Sequence, residues 1–228
     1  MKVTLGDHDQ LNPDLDRLHM VYADLGVDVV RIKSSTTDSV FLRDAVAWTP
    51  RGLISCRMKH RIDEPKQYLS SDIGRYPIHY LPSGIFEGAD LLWVFGRDTI
   101  PVLAVGNRTD YEGAFHVIKI LNRRVNVVEL PNWHKQHLLG LVNCVDSRLF
   151  AYQVMSDQLL HDVVILPDED YLTKGANWVQ VENTVVINDA CLATARLLEK
   201  YVEVKMVSLQ RLLACGGGPA CATGTLEP

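Results

Sequence analysis

Residues 84–130 read GIFEGADLLWVFGRDTIPVLAVGNRTDYEGAFHVIKILNRRVNVVEL. A short apolar strand opens at Ile85, carries polar residues in FEGAD and continues through LLWVF. A turn at Gly96-Arg97-Asp98 leads to a second apolar strand, PVLAV. From about Asp110 to Leu121, the residues Ala114, Val117, Ile118 and Leu121 recur at helical spacing, and VNVVEL closes the stretch as a third strand. The order is strand, strand, helix, strand. It returns at residues 176–208, where ANWVQV, a polar turn and TVVI precede a helix over Ala190–Lys200 and then VEVKMVSL. There Asn188-Asp189 offers a helix cap, and Ala193, Ala195, Leu197 and Leu198 supply an apolar face.

Working outward, FLRDAVAW, the Arg51-Gly52 turn and LISC open another copy with a less regular middle. HLLGLVNCV, SRLFAY and HDVVIL mark a fourth, whose helix is the hardest to see. The ends supply the fifth. GGGPACATG resembles a first strand with no continuation, while MKVTL, a helix from about Leu11 to Leu25 and VDVVRI resemble the remainder of a unit. A repeat of this length organises the whole chain. The fold expected is α/β: a five-bladed α/β propeller of ββαβ-type repeats, closed by pairing the N- and C-terminal segments, with residues 1–228 as one domain. Closure within one blade removes the open sheet edges. An open α/β sheet shares the alternation, but the two strands before each helix favour the ring.

The chain has 228 residues, 47% hydrophobic and 22% charged, which suits a packed core. Its net charge is −5, with Lys and Arg scattered, so nucleic acid is not an expected partner. MKVTLGDHDQ lacks the apolar run of a signal peptide, and no stretch approaches a membrane span, so no membrane partner is expected. Five cysteines form neither a CxxC pair nor a metal-ligand array, which points to reduced thiols in a cytoplasm.

In a ring, the first strands line the axis, and their polar residues converge from distant positions. The unit openings hold Asp44, Glu87 with Asp90, His137, Asn177 and Cys221. Each has a plain structural reading. Asp44 could cap a turn or pair with Arg43, Glu87 could be a turn residue, His137 a core histidine, and Asn177 a backbone bridge. The recurrence of polar residues at the same point of every unit argues for a site. Buried carboxylates need a cation or hydrogen bonds in compensation, and a cationic ligand together with the histidine would supply both. The glycines before Cys221 imply close backbone approach.

These residues resemble a known family. GGGPACATG is similar to the GGG-x-x-C-x-T signature of arginine deiminases, dimethylarginine dimethylaminohydrolases and amidinotransferases, the pentein superfamily of guanidine-modifying enzymes. DSVFLRDAV, FEGAD, Arg108-Thr109-Asp110 and HLLG follow in the family's order, and the layout is most similar to the dimethylargininase branch. The resemblance implies a five-fold α/β propeller. It implies Cys221 as nucleophile, His137 as catalytic histidine, Glu87 orienting it, and Asp44 gripping the guanidinium. Asp38 and Arg108 match positions near the substrate, and Asp90 is grouped with them as a substrate-side carboxylate.

The implied activity is cysteine-dependent hydrolysis of a guanidino C–N bond through a covalent thiouronium-type intermediate. It would release an amine or ammonia and a ureido product such as citrulline, with no metal or organic cofactor. The expected partner is a small guanidino substrate, and exposed outer helices could support a homo-oligomer. Three departures bear on specificity. Leu139 stands where deiminases and amidinotransferases carry a second guanidinium-binding Asp, Ala220 stands where relatives often have His, and only Gly6–Pro13 separates the first strand from its helix. The last predicts a more open or differently lidded site. Amidinotransfer or arginine-deiminase-like chemistry is the alternative enzyme reading, and a non-catalytic propeller serving binding or assembly is the alternative from another class.

Overall fold

The computed structural model describes residues 1–61, 68, 76–94, 100–133, 135, 137–160 and 162–227. The expected Gly96-Arg97-Asp98 turn and most of the irregular middle of the FLRDAVAW unit lie outside these residues. Among the described residues, fifteen strands form five three-stranded sheets. The chain opens with β1 (Lys2–Asp7), the helix Asn12–Asp24 and β2 (Asp28–Lys33). The next unit has β3 (Val46–Thr49), β4 (Gly52–Ser55) and β5 (Ile78–Tyr80). It is followed by β6 (Leu91–Leu92), β7 (Val102–Val105), the helix Tyr111–Leu121 and β8 (Asn126–Glu129). Then come β9 (Val142–Val145), β10 (Arg148–Ala151), the one-turn helix Gln153–Ser156 and β11 (Val163–Ile165). The last full unit has β12 (Val179–Val181), β13 (Thr184–Asn188), the helix Leu192–Leu198 and β14 (Glu203–Val207), and β15 (Thr223–Glu227) ends the chain.

One pairing rule holds in every sheet. The inner strand runs antiparallel to the middle strand, and the middle strand runs parallel to the outer one. In the fifth sheet β15 takes the inner place, antiparallel to β1, which pairs parallel with β2. The two chain ends therefore close one blade, and the five-bladed α/β propeller expected from the repeat is the architecture found. Middle strands such as β7 and β13 are buried along their whole length, as strands covered on both faces are. The outer β8 alternates buried and exposed positions because one face meets solvent.

Local chemistry explains the helix that completes the 84–130 unit. The Asp110 carboxylate accepts from the Gly113 amide at 2.7 Å as an N-cap, and Asn122 ends the helix in the left-handed region at φ 49°. Ala114, Val117 and Leu121 are buried against the sheet, with Ile118 partly buried. The helix of the 176–208 unit starts later than expected. Asn188 caps only the Ala190 amide, and the helix proper begins behind Cys191. The Thr194 amide inside it is held by Asp170 at 2.6 Å, a carboxylate from the preceding loop.

The unit openings also depart from expectation, in a way that matters for the site. FEGAD, FLRDA and PACA are not strand. They form a 3-10 turn over Gly88–Asp90 and one-turn helices over Leu42–Ala45 and Pro219–Ala222. Proline at the first turn of the last of these favours the helical start. Each inner strand is thus entered through a tight turn, which turns the polar side chain across the ring axis instead of along the sheet face.

Candidate active site

Asp44, Asn177 and Cys221 each lie two residues before an inner strand, β3, β12 and β15 respectively. Glu87 and His137 each precede a 3-10 turn, over Gly88–Asp90 and Leu138–Gly140, that leads into β6 and β9. Five blades therefore deliver five polar side chains to one end of the axis. Asp44, His137, Asn177 and Cys221 line a cavity of about 370 Å³ there, together with Asp38, Arg61, Arg108, Leu139, Lys174 and Cys215. Glu87 stands behind His137, and its side chain is almost fully buried.

His137 is the centre of the electrostatics. Its Nε2 meets Glu87 Oε2 at 2.8 Å, and its Nδ1 lies 3.6 Å from Asp44 Oδ1. Burial alone would lower its pKa. The Asp44 charge, the Glu87 hydrogen bond and the Asp90 charge outweigh burial and raise it to about 9. Burial also opposes ionisation of Glu87, but His137 and the neighbouring Arg108 and Arg61 hold its carboxyl below the ordinary range. At neutral pH this pair is imidazolium and carboxylate. Among the described residues, Asp44 Oδ1 and Glu87 Oε1 are buried without a hydrogen-bond partner, so each has a lone pair available to an N–H donor.

Cys221 is positioned from the neighbouring blade. Asn177 donates from Nδ2 to Cys221 Sγ at 3.0 Å, while its Oδ1 accepts from the amides of Ala220 (3.0 Å) and Cys221 (3.2 Å). The glycine run makes room for this. A Cβ on Gly217 would come within 2.2 Å of the Phe41 ring, and one on Gly218 within 2.7 Å of Asn177 Oδ1. Burial raises the thiol pKa, and the Asp44 charge raises it further, against weaker opposition from the Gly218 backbone, Asn177 and Lys174. One cavity thus holds a thiol and an imidazolium.

The other expected residues divide. Arg108 lies at the cavity with Nη1 3.6 Å from Glu87 Oε2. Asp38 lines the cavity, and its carbonyl accepts from Arg61 Nη1. Asp90 does not fit the place given it beside the substrate. It is fully buried, with one oxygen accepting from the Thr109 hydroxyl at 2.6 Å and the other from the Leu138 amide at 2.9 Å. The 3-10 turn rotates it away from the cavity, and it braces the turn that follows His137. Burial raises its pKa to about 6, although His137 and these hydrogen bonds oppose the rise.

Arg61 is the main residue the sequence did not announce. Its Nη2 meets Asp44 Oδ2 at 2.7 Å, so the carboxylate expected to grip a guanidinium already holds one. It sits in an irregular segment without motif or period. Lys174, in the left-handed region at φ 68°, was equally silent. Asn177 bridges backbone, as a structural reading of it requires, and it also holds the sulfur. None of Gly6–Pro13 lines the cavity, whose lining includes His60, Arg61, Lys174 and Cys215. One atom each of Asp44, Glu87 and His137 lie within 4.8 Å of one another, as a metal would require. His137 and Glu87 instead bond each other directly.

No family model and no curated protein matches the chain. Solved structures do. It is similar to a mutant dimethylarginine dimethylaminohydrolase of Pseudomonas aeruginosa complexed with citrulline, at TM-score 0.84 and 19% identity over 97% of each chain. It is also similar to the N-terminal domain of ArgZ covalently bound to a reaction intermediate, at TM-score 0.85 and 18% identity over 99% of this chain and 97% of that domain. ArgZ is an arginine dihydrolase from the ornithine-ammonia cycle in cyanobacteria, and the chain spans 40% of its longer apo structure. No helix among the described residues is long and apolar enough to cross a membrane. In its five sheets and in the blade that joins its two ends, the chain has the α/β-propeller fold of the guanidine-modifying enzymes.

Proposed function

We propose that the chain hydrolyses a C–N bond of a small guanidino compound, with Cys221 as nucleophile and His137 as acid and then base. The observation that carries this reading is the convergence of a thiol, an imidazolium and a buried carboxylate with an unfilled oxygen on one cavity. The Asp44–Arg61 pair supports it, because Asp44 holds a guanidinium in this same place. A substrate guanidinium would take over Asp44 from Arg61 and offer a second N–H to the free Oδ1.

The charge balance sets the order of events. Asp44 helps keep the thiol protonated, so a cation bound against it removes that restraint and the thiol proton leaves to solvent. The thiolate adds to the guanidinium carbon. His137 Nδ1, next to Asp44 Oδ1, gives its proton to the departing nitrogen, the C–N bond breaks, and a thiouronium remains on Cys221. Neutral His137 then takes a proton from water, the hydroxide adds to the same carbon, and collapse expels the thiolate and leaves the ureido product. Glu87 acts through His137, fixing its ring and favouring its charged form.

Among guanidines, an N-alkylated one such as a methylated arginine suits the cavity. Leu139 is apolar where a second carboxylate would otherwise hold an unsubstituted nitrogen, and it lines the cavity wall. The test is ureido-product formation from methylated arginines, arginine, agmatine and simple guanidino acids, with wild type beside Cys221→Ser. Product that depends on Cys221 and is greatest with a methylated arginine is expected. Turnover unchanged in Cys221→Ser removes the mechanism, and absence of product from every guanidine removes the activity.

A further inference from the structure

A second cavity of about 360 Å³ lies along the propeller axis, and Leu139 lines both it and the first. Its walls come from the bodies of all five inner strands, through residues such as Trp48, Leu91, Cys144, Val179 and Thr225. Three of the four tryptophans, Trp48, Trp93 and Trp178, face it. Its size falls in the range of small-molecule sites.

Most polar groups in this wall are satisfied by the protein. The ring N–H groups of Trp93 and Trp178 donate to the carbonyls of Trp48 (2.8 Å) and Cys144 (3.1 Å). The Asn143 amide donates to the Ala176 and Trp178 carbonyls, and its oxygen accepts from the Cys144 amide. Arg43 is different. It follows Leu42 in the turn that carries Asp44, yet it lines the tryptophan cavity while Asp44 lines the other. Of the guanidinium's five donors, one meets a partner among the described residues, Nη1 with Thr225 Oγ1 at 3.0 Å. No carboxylate there lies within ion-pair distance of it, and burial works against its charge. A half-buried guanidinium with open donors is complementary to a carboxylate, which it can bind through two parallel hydrogen bonds. Asp146 and Glu182, on the same lining at the β9–β10 and β12–β13 turns, disfavour a ligand with several negative charges.

We propose that this axial cavity binds a small monocarboxylate with an aromatic or branched apolar body, the carboxylate on Arg43 and the body against the tryptophans. The site does not rest on the hydrolytic reading, and Leu139 is the residue that borders both cavities.

The tryptophans provide the readout. Intrinsic fluorescence of the full chain is titrated with 3-phenylpropionate, and in parallel with 3-phenylpropanol, which keeps the body and lacks the charge. A saturable change is expected for the acid, with the alcohol weaker by about tenfold or more. Arg43→Gln should abolish the preference for the acid and leave the alcohol's affinity nearly unchanged. Ala47→Phe, which adds a ring to the wall of this cavity alone, should weaken both ligands and keeps the test decisive if Arg43→Gln fails to fold. Absence of a saturable change up to millimolar acid, equal affinity for acid and alcohol in wild type, or undiminished binding in folded Ala47→Phe would each overturn the proposal.

Discussion

Two cavities share one axis and are built by the same five blades, yet their chemistry is opposite. The one formed at the entrances of the inner strands holds Cys221, His137, Asp44 and two arginines. The one formed by the strand bodies holds three tryptophans, leucines and a single arginine. The difference comes from the tight turns that lead into the strands. A turn throws its polar residue across the axis, while the strand that follows returns to the apolar pattern of a packed sheet. Arg43 and Asp44 make the contrast within one dipeptide, since consecutive residues of one turn line different cavities.

The contrast can be broken from either side. The largest effect is expected at the turn end. His137→Gln should lower kcat/KM by about 10³-fold with little change in thermal stability, because it removes the group proposed to protonate the leaving amine. Steady-state kinetics beside a melting curve would show this. Trp178→Ala, in the strand-built wall, should do the reverse. It deletes a buried ring packed edge-on to Phe150 at 5.7 Å, and a loss of about 3 kcal/mol is expected in denaturant unfolding. Activity per folded molecule should remain near wild type.

Glu87→Gln sharpens the comparison, since Glu87 is proposed to act on the reaction through His137, to which it bonds. A fall of roughly tenfold to 100-fold in kcat is expected. With the Glu87 charge gone, the pKa of His137 should drop, and the alkaline limb of the pH–rate profile should move to lower pH. An unmoved limb would mean that Glu87 serves packing alone. The smallest effect concerns stability. The His137 pKa rises from 6.5 to about 9 on folding, so the folded state binds the proton more tightly. This contribution is complete below pH 6.5 and disappears as pH rises through about 9, so a fall in unfolding free energy across that window is expected. It should be missing from His137→Gln when unfolding is compared across that window.

Much of this arrangement is legible in the sequence, because apolar periods and helix spacing follow directly from burial. The 84–130 stretch shows its second strand, helix and third strand, and the matching pieces at the two ends reveal the closing blade. What the sequence hides is the turn geometry. A one-turn helix or 3-10 turn is too short to leave a period, so FLRDAV and FEGAD read as strand. Within FEGAD, spacing does not show that Glu87 serves His137 while Asp90 turns inward to Thr109 and Leu138. Arg61 was invisible for another reason. Its importance arises from tertiary approach to Asp44, 17 positions away, and no local pattern records that.

The most direct test of the central claim is mass analysis of the Cys221 peptide after acid quench during turnover of a guanidino substrate. The account predicts an amidino adduct on Cys221 in the wild type, absent from Cys221→Ser and reduced in His137→Gln, which lacks the proposed acid that releases the amine. Turnover that proceeds with no adduct in either protein, and persists in Cys221→Ser, would contradict it.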